Sequence, residues 1–207
     1  MLRETFPVGR LQCNCTIVGD PVTGQAIVVD PGGDGPLILG KLRAMGLKTV
    51  TAVIHTHAHI DHVGATAELC DVFGAPAFLH DEDTPLYGTL QVQAYMLGIE
   101  EPRSIEMRPL ADGQEHRAGD CSLGVMHTPG HTMGSCSFVL QQAGLLLSGD
   151  TLFRRGVGRT DLGGDWDILV KTVKERLFTL SDDTVVIPGH GPFTTVGEER
   201  RLNPFIR

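Results

Sequence analysis

Four side chains of metal-binding type emerge within six consecutive residues: His57, His59, Asp61 and His62, in the segment Thr56-His57-Ala58-His59-Ile60-Asp61-His62. The segment follows Thr51 to His55, an apolar run that reads as a buried strand. In a strand-exit loop His57 and His59 share one side by the period of two, and Asp61 and His62 fall where the next helix begins. Three histidines and an aspartate this close would repel and desolvate one another on protonation unless a cation kept the rings neutral. Imidazole with carboxylate suits zinc, iron or manganese, whereas calcium and magnesium want oxygen alone.

Three further residues of this kind lie at strand ends. Thr128-Pro129-Gly130-His131 follows a strand ending near His127, Ser148-Gly149-Asp150 follows Leu145 to Leu147, and Pro188-Gly189-His190 follows Thr184 to Ile187. Alone, each of His131, Asp150 and His190 fits an ordinary turn; as a set they fit one site, because functional groups in α/β sheets gather outside the carboxyl ends of strands. Glycine beside each lets the backbone turn sharply and approach the site.

The remaining apolar runs predict strands at Thr16 to Val18, Gln25 to Val29, Pro76 to His80, Ser122 to His127 and Ser135 to Leu140. Helices are expected at Pro36 to Met45, Val63 to Phe73, Thr84 to Leu97, Asp165 to Leu180 and Thr195 to Asn203, the last opened by Thr195 and Glu198 at capping-box spacing. Strand-helix cycles imply an α/β sandwich. The stretch Asp81 to Arg103 reads as a helical insertion over the surface.

A chain of 207 residues is long enough for a sizeable core, and residues 1–207 are expected to form one domain. Lysine and arginine number 17 against 25 acidic residues, a net charge of −8, which disfavours nucleic acid as the main partner. No run approaches the length of a membrane span, and the opening MLRETFPVGRLQCNC lacks an apolar signal core, so the expected compartment is the cytoplasm. Five scattered cysteines suit reduced thiols. Cys13 and Cys15 share a strand face and are expected to pack as small apolar residues rather than bind metal.

The order THAHIDH, TPGHT, SGDTLF, PGHG resembles the metallo-β-lactamase superfamily, whose fold is a four-layer αββα sandwich with a metal site at one edge of the two sheets. Asp30-Pro31-Gly32-Gly33, Gly158-Arg159-Thr160-Asp161 and the ending PGHGPFTTVGEERRLNPF are similar to short hydroxyacylglutathione hydrolase-like, or glyoxalase II-like, proteins. The resemblance implies one divalent ion on His57, His59 and His131 and a second on Asp61, His62 and His190, with Asp150 shared. It also implies a water between the ions, held by Asp61 and Asp150, and zinc as the metal, with iron or manganese as alternatives. His55 stands where the family carries an aliphatic residue and is expected to pack or to support a ligand; His80, His116 and His127 carry no pattern and are expected to be structural.

The implied reaction is hydrolysis of a small-molecule thioester, S-lactoylglutathione or a related glutathione conjugate. A thiolate leaves without a dedicated proton donor, which an amine would need, and no such donor is legible beyond the metal ligands. Arg154, Arg155 and Arg159 form a local cationic spot suited to substrate carboxylates, or else salt-bridge Asp161, Asp165 and Asp167; the family likeness favours Arg159 for binding. Residues 191–207 alone follow His190, so the C-terminal helical domain that contacts glutathione in longer relatives is not expected. Two alternatives use the same residues: a persulfide dioxygenase with one iron on His57, His131 and Asp150, and a metallohydrolase of other ester or phosphodiester substrates.

Overall fold

The computed structural model describes residues 1–206. The first half lays down β1 (Leu2–Val8), β2 (Cys13–Asp20), β3 (Gln25–Val29), α1 (Gly35–Ala44), β4 (Thr49–Ile54), α2 (Ile60–Val63), α3 (Thr66–Phe73), β5 (Ala77–His80), α4 (Thr84–Tyr87), α5 (Leu90–Leu97) and β6 (Met107–Leu110). The second half adds β7 (Glu115–Ala118), β8 (Cys121–His127), β9 (Cys136–Leu140), β10 (Leu145–Gly149), the small hairpin β11 (Leu152–Phe153) and β12 (Gly156–Val157), α6 (Trp166–Glu175), β13 (Val185–Pro188), β14 (Thr194–Thr195) and α7 (Val196–Leu202). The strands form two six-stranded sheets, ordered β1-β2-β3-β4-β5-β6 and β14-β13-β10-β9-β8-β7.

Side-chain parity turns two sheets into four layers. Along β3, Ile27 and Val29 face the core between the sheets, while Ala26 and Val28 join Ile38, Leu42 and Leu69 under α1 and α3. Along β10, Leu145 and Leu147 face the inter-sheet core, and Leu146 packs with Leu169 and Val173 of α6. A strand covered on both faces is apolar along its covered stretch, as at residues 26–29 of β3 and 145–147 of β10. The α/β sandwich read from the residues, in the four-layer αββα form that the family resemblance implies, is therefore observed. Cys13 and Cys15 lie in the outer apolar cluster, and all five cysteines are free thiols. No helix among the described residues is long and apolar enough to cross a membrane.

Six strands escaped the sequence pattern: the two-residue β11, β12 and β14, and the longer β1, β6 and β7. β1 carries Glu4 and Pro7, β6 carries Arg108 and Pro109, and β7 carries Glu115 and Arg117; these three lie at sheet edges, where charge and proline are tolerated because one side of the strand has no ladder partner. The helix expected over Thr84 to Leu97 is broken at Gly88 into α4 and α5, and that over Val63 to Phe73 starts as α2 at Ile60 and restarts as α3 at Thr66. The helix expected from Asp165 ends at Glu175, followed by a 3-10 turn at Leu177–Thr179.

Candidate metal centre

The carboxyl ends of β4, β8, β10 and β13 open onto one edge of the sandwich, and the loops leaving them bring the seven singled-out residues together. His131 Nε2 lies 3.0 Å from His59 Nδ1 and 3.2 Å from His57 Nε2. Beside this group, His190 Nε2 lies 3.1 Å from Asp61 Oδ2 and 3.3 Å from His62 Nε2. Asp150 stands between the two groups: Oδ2 is 3.7 Å from both His131 Nε2 and His190 Nε2, and Oδ1 is 3.6 Å from His62 Nε2. Space for this is made by Gly189, where a Cβ would lie 2.1 Å from Asp150 Oδ1.

Each ring presents a bare nitrogen inward because its other nitrogen has an acceptor behind it. His131 Nδ1 donates to the Arg159 carbonyl at 2.7 Å, His59 Nε2 to the Leu162 carbonyl at 3.3 Å, and His190 Nδ1 to the Leu11 carbonyl at 3.1 Å. His62 Nδ1 donates to Asp30 Oδ2 at 3.0 Å, and His57 Nδ1 to Thr56 Oγ1 at 3.0 Å, whose own hydroxyl donates to Asp30. These tautomers follow from the hydrogen-bond network.

Electrostatics divides the site in the same way. Burial, reinforced by the neighbouring rings, pushes His57 and His59 down and His131 down to about 3. Burial opposes charge on His62 and His190 too, yet for His62 the Cys13 sulfur, 3.5 Å from Nδ1, and then the Asp30, Asp150 and Asp61 carboxylates outweigh it, and for His190 the hydrogen bond to Asp61 and the charge of Asp150 do, so both are raised. Asp61 is held well below the usual carboxylate range by His62 and His190 against the cost of burial. Asp150 is raised by burial, and its Oδ1 is buried without a hydrogen-bond partner. Bare nitrogens converging around an orphaned carboxylate oxygen leave a polar deficit that a cation fills, so these residues fit a divalent metal pair. Ligand atoms of His57, His59 and His131, and those of Asp61, His62 and His190, each lie within 4.8 Å of one another.

Sequence reasoning gave no role to two carboxylates that hold the loops. Asp30, buried and at φ 50, accepts from Thr56 N and Thr56 Oγ1, both at 2.7 Å, as well as from His62. It closes a strand and precedes Pro-Gly-Gly, the same strand-end punctuation that flags the other loops, so a signal existed. Asp83, also buried, accepts from Ala58 N at 2.8 Å, Thr132 Oγ1 at 2.9 Å and Gly134 N at 2.7 Å, tying the loop of His57 and His59 to that of His131. Within Asp81-Glu82-Asp83 nothing distinguishes it. His55 is fully buried between the Phe78 carbonyl at 2.9 Å and Thr66 Oγ1 at 2.7 Å. The rings of His80 and His127 stack 4.0 Å apart.

A cleft of about 640 Å³ stands over the centre, with Asp61, His131, Asp150 and His190 at its floor. The insertion expected at the surface supplies one wall: Leu90 and Ala94 of α5 pack on Ile60 and Val63, and Val92 and Met96 face the cleft. The three arginines part company. Arg159 lines the cleft, its guanidinium bonded to Asp161 at 2.7 and 2.6 Å. Arg155 is committed to Glu198 at 2.8 Å, and Arg154 is exposed outside the cleft lining.

Comparison with known proteins follows the same lines. A family model described as metallo-beta-lactamase superfamily matches residues 8–190. The uncharacterized protein ML0493 of Mycobacterium leprae is 41% identical, covering 100% of this chain and 99% of its own. The hydroxyacylglutathione hydrolase GloC of Haemophilus influenzae is 33% identical, over 98% of this chain and 97% of its own. Among solved structures, TTHA1623 in a di-iron-bound form superposes with a TM-score of 0.88 at 38% identity, covering 98% of this chain and 99% of its own. The BLEG-1 B3 metallo-beta-lactamase superposes equally well, at 0.88 and 34% identity, with 99% of each chain covered.

Proposed function

The chain belongs to the metallo-beta-lactamase superfamily, a family of hydrolase-type enzymes binding divalent metals, and on that premise we propose that it hydrolyses thioesters of the hydroxyacylglutathione type with two metal ions. The observation that carries the reading is the pair of adjoining ligand groups that meet at Asp150. His57, His59 and His131 would hold one ion, Asp61, His62 and His190 the other, with Asp150 shared; zinc is the proposed metal, and the di-iron form of TTHA1623 makes iron the first alternative. When bound, such ions supply Lewis acidity and a water acidic enough to ionise near neutral pH.

The chain's own groups do the rest. Asp30 takes the outward proton of His62 and, through Thr56, that of His57, which fixes which nitrogen each ring offers. Asp61 and Asp150 place negative charge where an attacking water must be oriented and relieved of a proton. Overall, water adds to the acyl carbon, the carbon–sulfur bond breaks, and the sulfur leaves with the bonding pair, giving a carboxylate, a thiol and one proton. A thiolate leaves unaided. Arg159 at the cleft is the group placed to meet a carboxylate on the thiol arm, exchanging Asp161 for it. The relative GloC supports this substrate class.

A single-iron dioxygenase would need only His57, His131 and Asp150, a subset of the same ligands, so the ligand set is compatible with both readings and the assays below decide between them. A phosphodiester would ask for more cationic groups than Arg159, the one lysine or arginine among the described residues lining the cleft. Metal content measured with two assays on one preparation tests the reading: thiol release from S-lactoylglutathione, and oxygen uptake with glutathione persulfide. Two ions per chain with thiol release is the expected result. One iron per chain with oxygen uptake and no thiol release would sink it.

A further inference from the structure

The wall of the cleft is almost wholly apolar, and the few polar groups on it are already used. Leu86, Val92, Met96 and Leu97 form the side contributed by α4 and α5, and Phe153 and Leu162 face them. Val92 and Met96 stand one helical turn apart on the same side of α5. They are 57% and 69% exposed, a solvation cost that a covering apolar group would relieve. Gln93 could have offered an amide to a ligand, but its Oε1 accepts from Ile60 N at 2.9 Å and its Nε2 donates to the Leu86 carbonyl and Thr89 Oγ1, each at 3.2 Å. The Thr89 hydroxyl donates to the Leu86 carbonyl at 2.7 Å. Arg159 is held by both oxygens of Asp161.

Polar partners are thus confined to the floor and to one rim arginine, while the space above is lined by alkyl and aryl groups. A charged acyl arm along this wall would lose water there without gaining partners. An alkyl arm loses nothing polar and covers exposed leucine, valine and methionine. We infer that the cleft also takes thioesters whose acyl half is an apolar chain longer than lactoyl, lying along Val92 and Met96 with the thioester carbonyl at the floor. The assignment rests on the thioesterase reading for the bond cleaved, and on the wall alone for the chain.

Two measurements on the metal-loaded protein separate these. In the first, thiol release is followed for acetyl, butanoyl, hexanoyl and octanoyl thioesters of one small thiol; kcat/KM should climb about two- to four-fold per added methylene. In the second, calorimetry follows binding of butanoate, hexanoate and octanoate, whose identical carboxylates cancel any contribution of the floor. Affinity should rise with length, Met96→Glu should weaken octanoate binding ten-fold or more, and Tyr95→Glu, 88% exposed on the same helix and outside the cleft lining, should leave it unchanged. Affinity and kcat/KM that are flat or falling with length, or octanoate binding indifferent to Met96→Glu, would overturn the proposal, whether or not S-lactoylglutathione is cleaved. Length-dependent binding without cleavage of any thioester would keep the wall's assignment and remove the hydrolase reading instead.

Discussion

His59 Nδ1 and His131 Nε2 face one another across 3.0 Å, and in the neutral rings neither has a proton to offer, because Leu162 and Arg159 carbonyls hold the outer N–H of each. With His57 Nε2 a further 3.2 Å from His131, three lone pairs converge, a repulsive arrangement that a cation converts into a bonding one. Chelation should therefore destabilise the fold as well as abolish activity. A ligand at a hundred-fold excess over its Kd contributes about 2.7 kcal/mol, or about 5–11 °C in Tm for a chain of this size. Thermal melts before and after chelation, and after adding back zinc, iron or manganese, check this. An unchanged melting temperature would count against a resident metal.

Asp30 is the hub behind the rings, accepting from His62 at 3.0 Å and from Thr56 N and Oγ1 at 2.7 Å. Asp30→Asn keeps the shape but puts an amide N–H₂ against at least one of these donors. Supporting partners of this kind typically govern about 10- to 100-fold in metal affinity or activity. The expected outcome is a loss of that size in kcat, with metal affinity falling alongside, read by competition against a chromogenic chelator. Activity within two-fold of wild type would remove Asp30 from the positioning role.

Much of this was legible in the residues, for reasons that differ by element. Residues 26–29 of β3 and 145–147 of β10 are unbroken apolar runs because both faces are covered, so their strands and the doubly covered sheets could be read directly. The ligand loops could be read because histidine or aspartate beside glycine at a strand end is chemically conspicuous. β1, β6 and β7 could not, since an edge strand satisfies its backbone without an apolar pattern. Nor could Asp83 be singled out from Asp81 and Glu82, because its importance lies in three donors that come from residues 58, 132 and 134 and meet it only in the fold. The surface insertion was placed correctly along the chain, but its role as the wall of the cleft depends on Leu90 and Ala94 packing on Ile60 and Val63.

Acidification should empty the two metal positions in sequence. Metal binding needs an unprotonated ring, so a proton competes best where the pKa is raised. His62 and His190 are raised above the ordinary histidine value, whereas His57 and His59 are lowered and His131 falls to about 3. As pH drops toward the ordinary histidine value, the proposed Asp61, His62 and His190 position loses its ion first, and the His57, His59 and His131 position retains its own to lower pH. Metal content after dialysis at stepped pH between 7.5 and 4.5 should show one equivalent leaving before the other. Simultaneous loss of both would contradict the division.

Asp83 joins the wall of the cleft to its floor. It ends the short turn that leads into α4, and its oxygens accept from Ala58 N, between His57 and His59, and from Thr132 Oγ1 and Gly134 N, just after His131. Gly134 admits no larger residue, since a Cβ there would lie 2.6 Å from Asp83 N. Asp83→Ala leaves two backbone N–H groups and a hydroxyl buried without their acceptor, at a cost of about 1–3 kcal/mol for each one that cannot find another. The expected loss is about 2–4 kcal/mol in urea unfolding of the metal-loaded protein, since local relaxation satisfies part of the set. Because the change displaces ligand loops rather than the reacting atoms, kcat should fall further than the stability loss alone explains. Asp83→Asn, whose carbonyl oxygen can still accept from part of the set, should recover some stability but less activity. Equal recovery of both would mean that Asp83 acts on the fold alone and not on the spacing of the two metal loops.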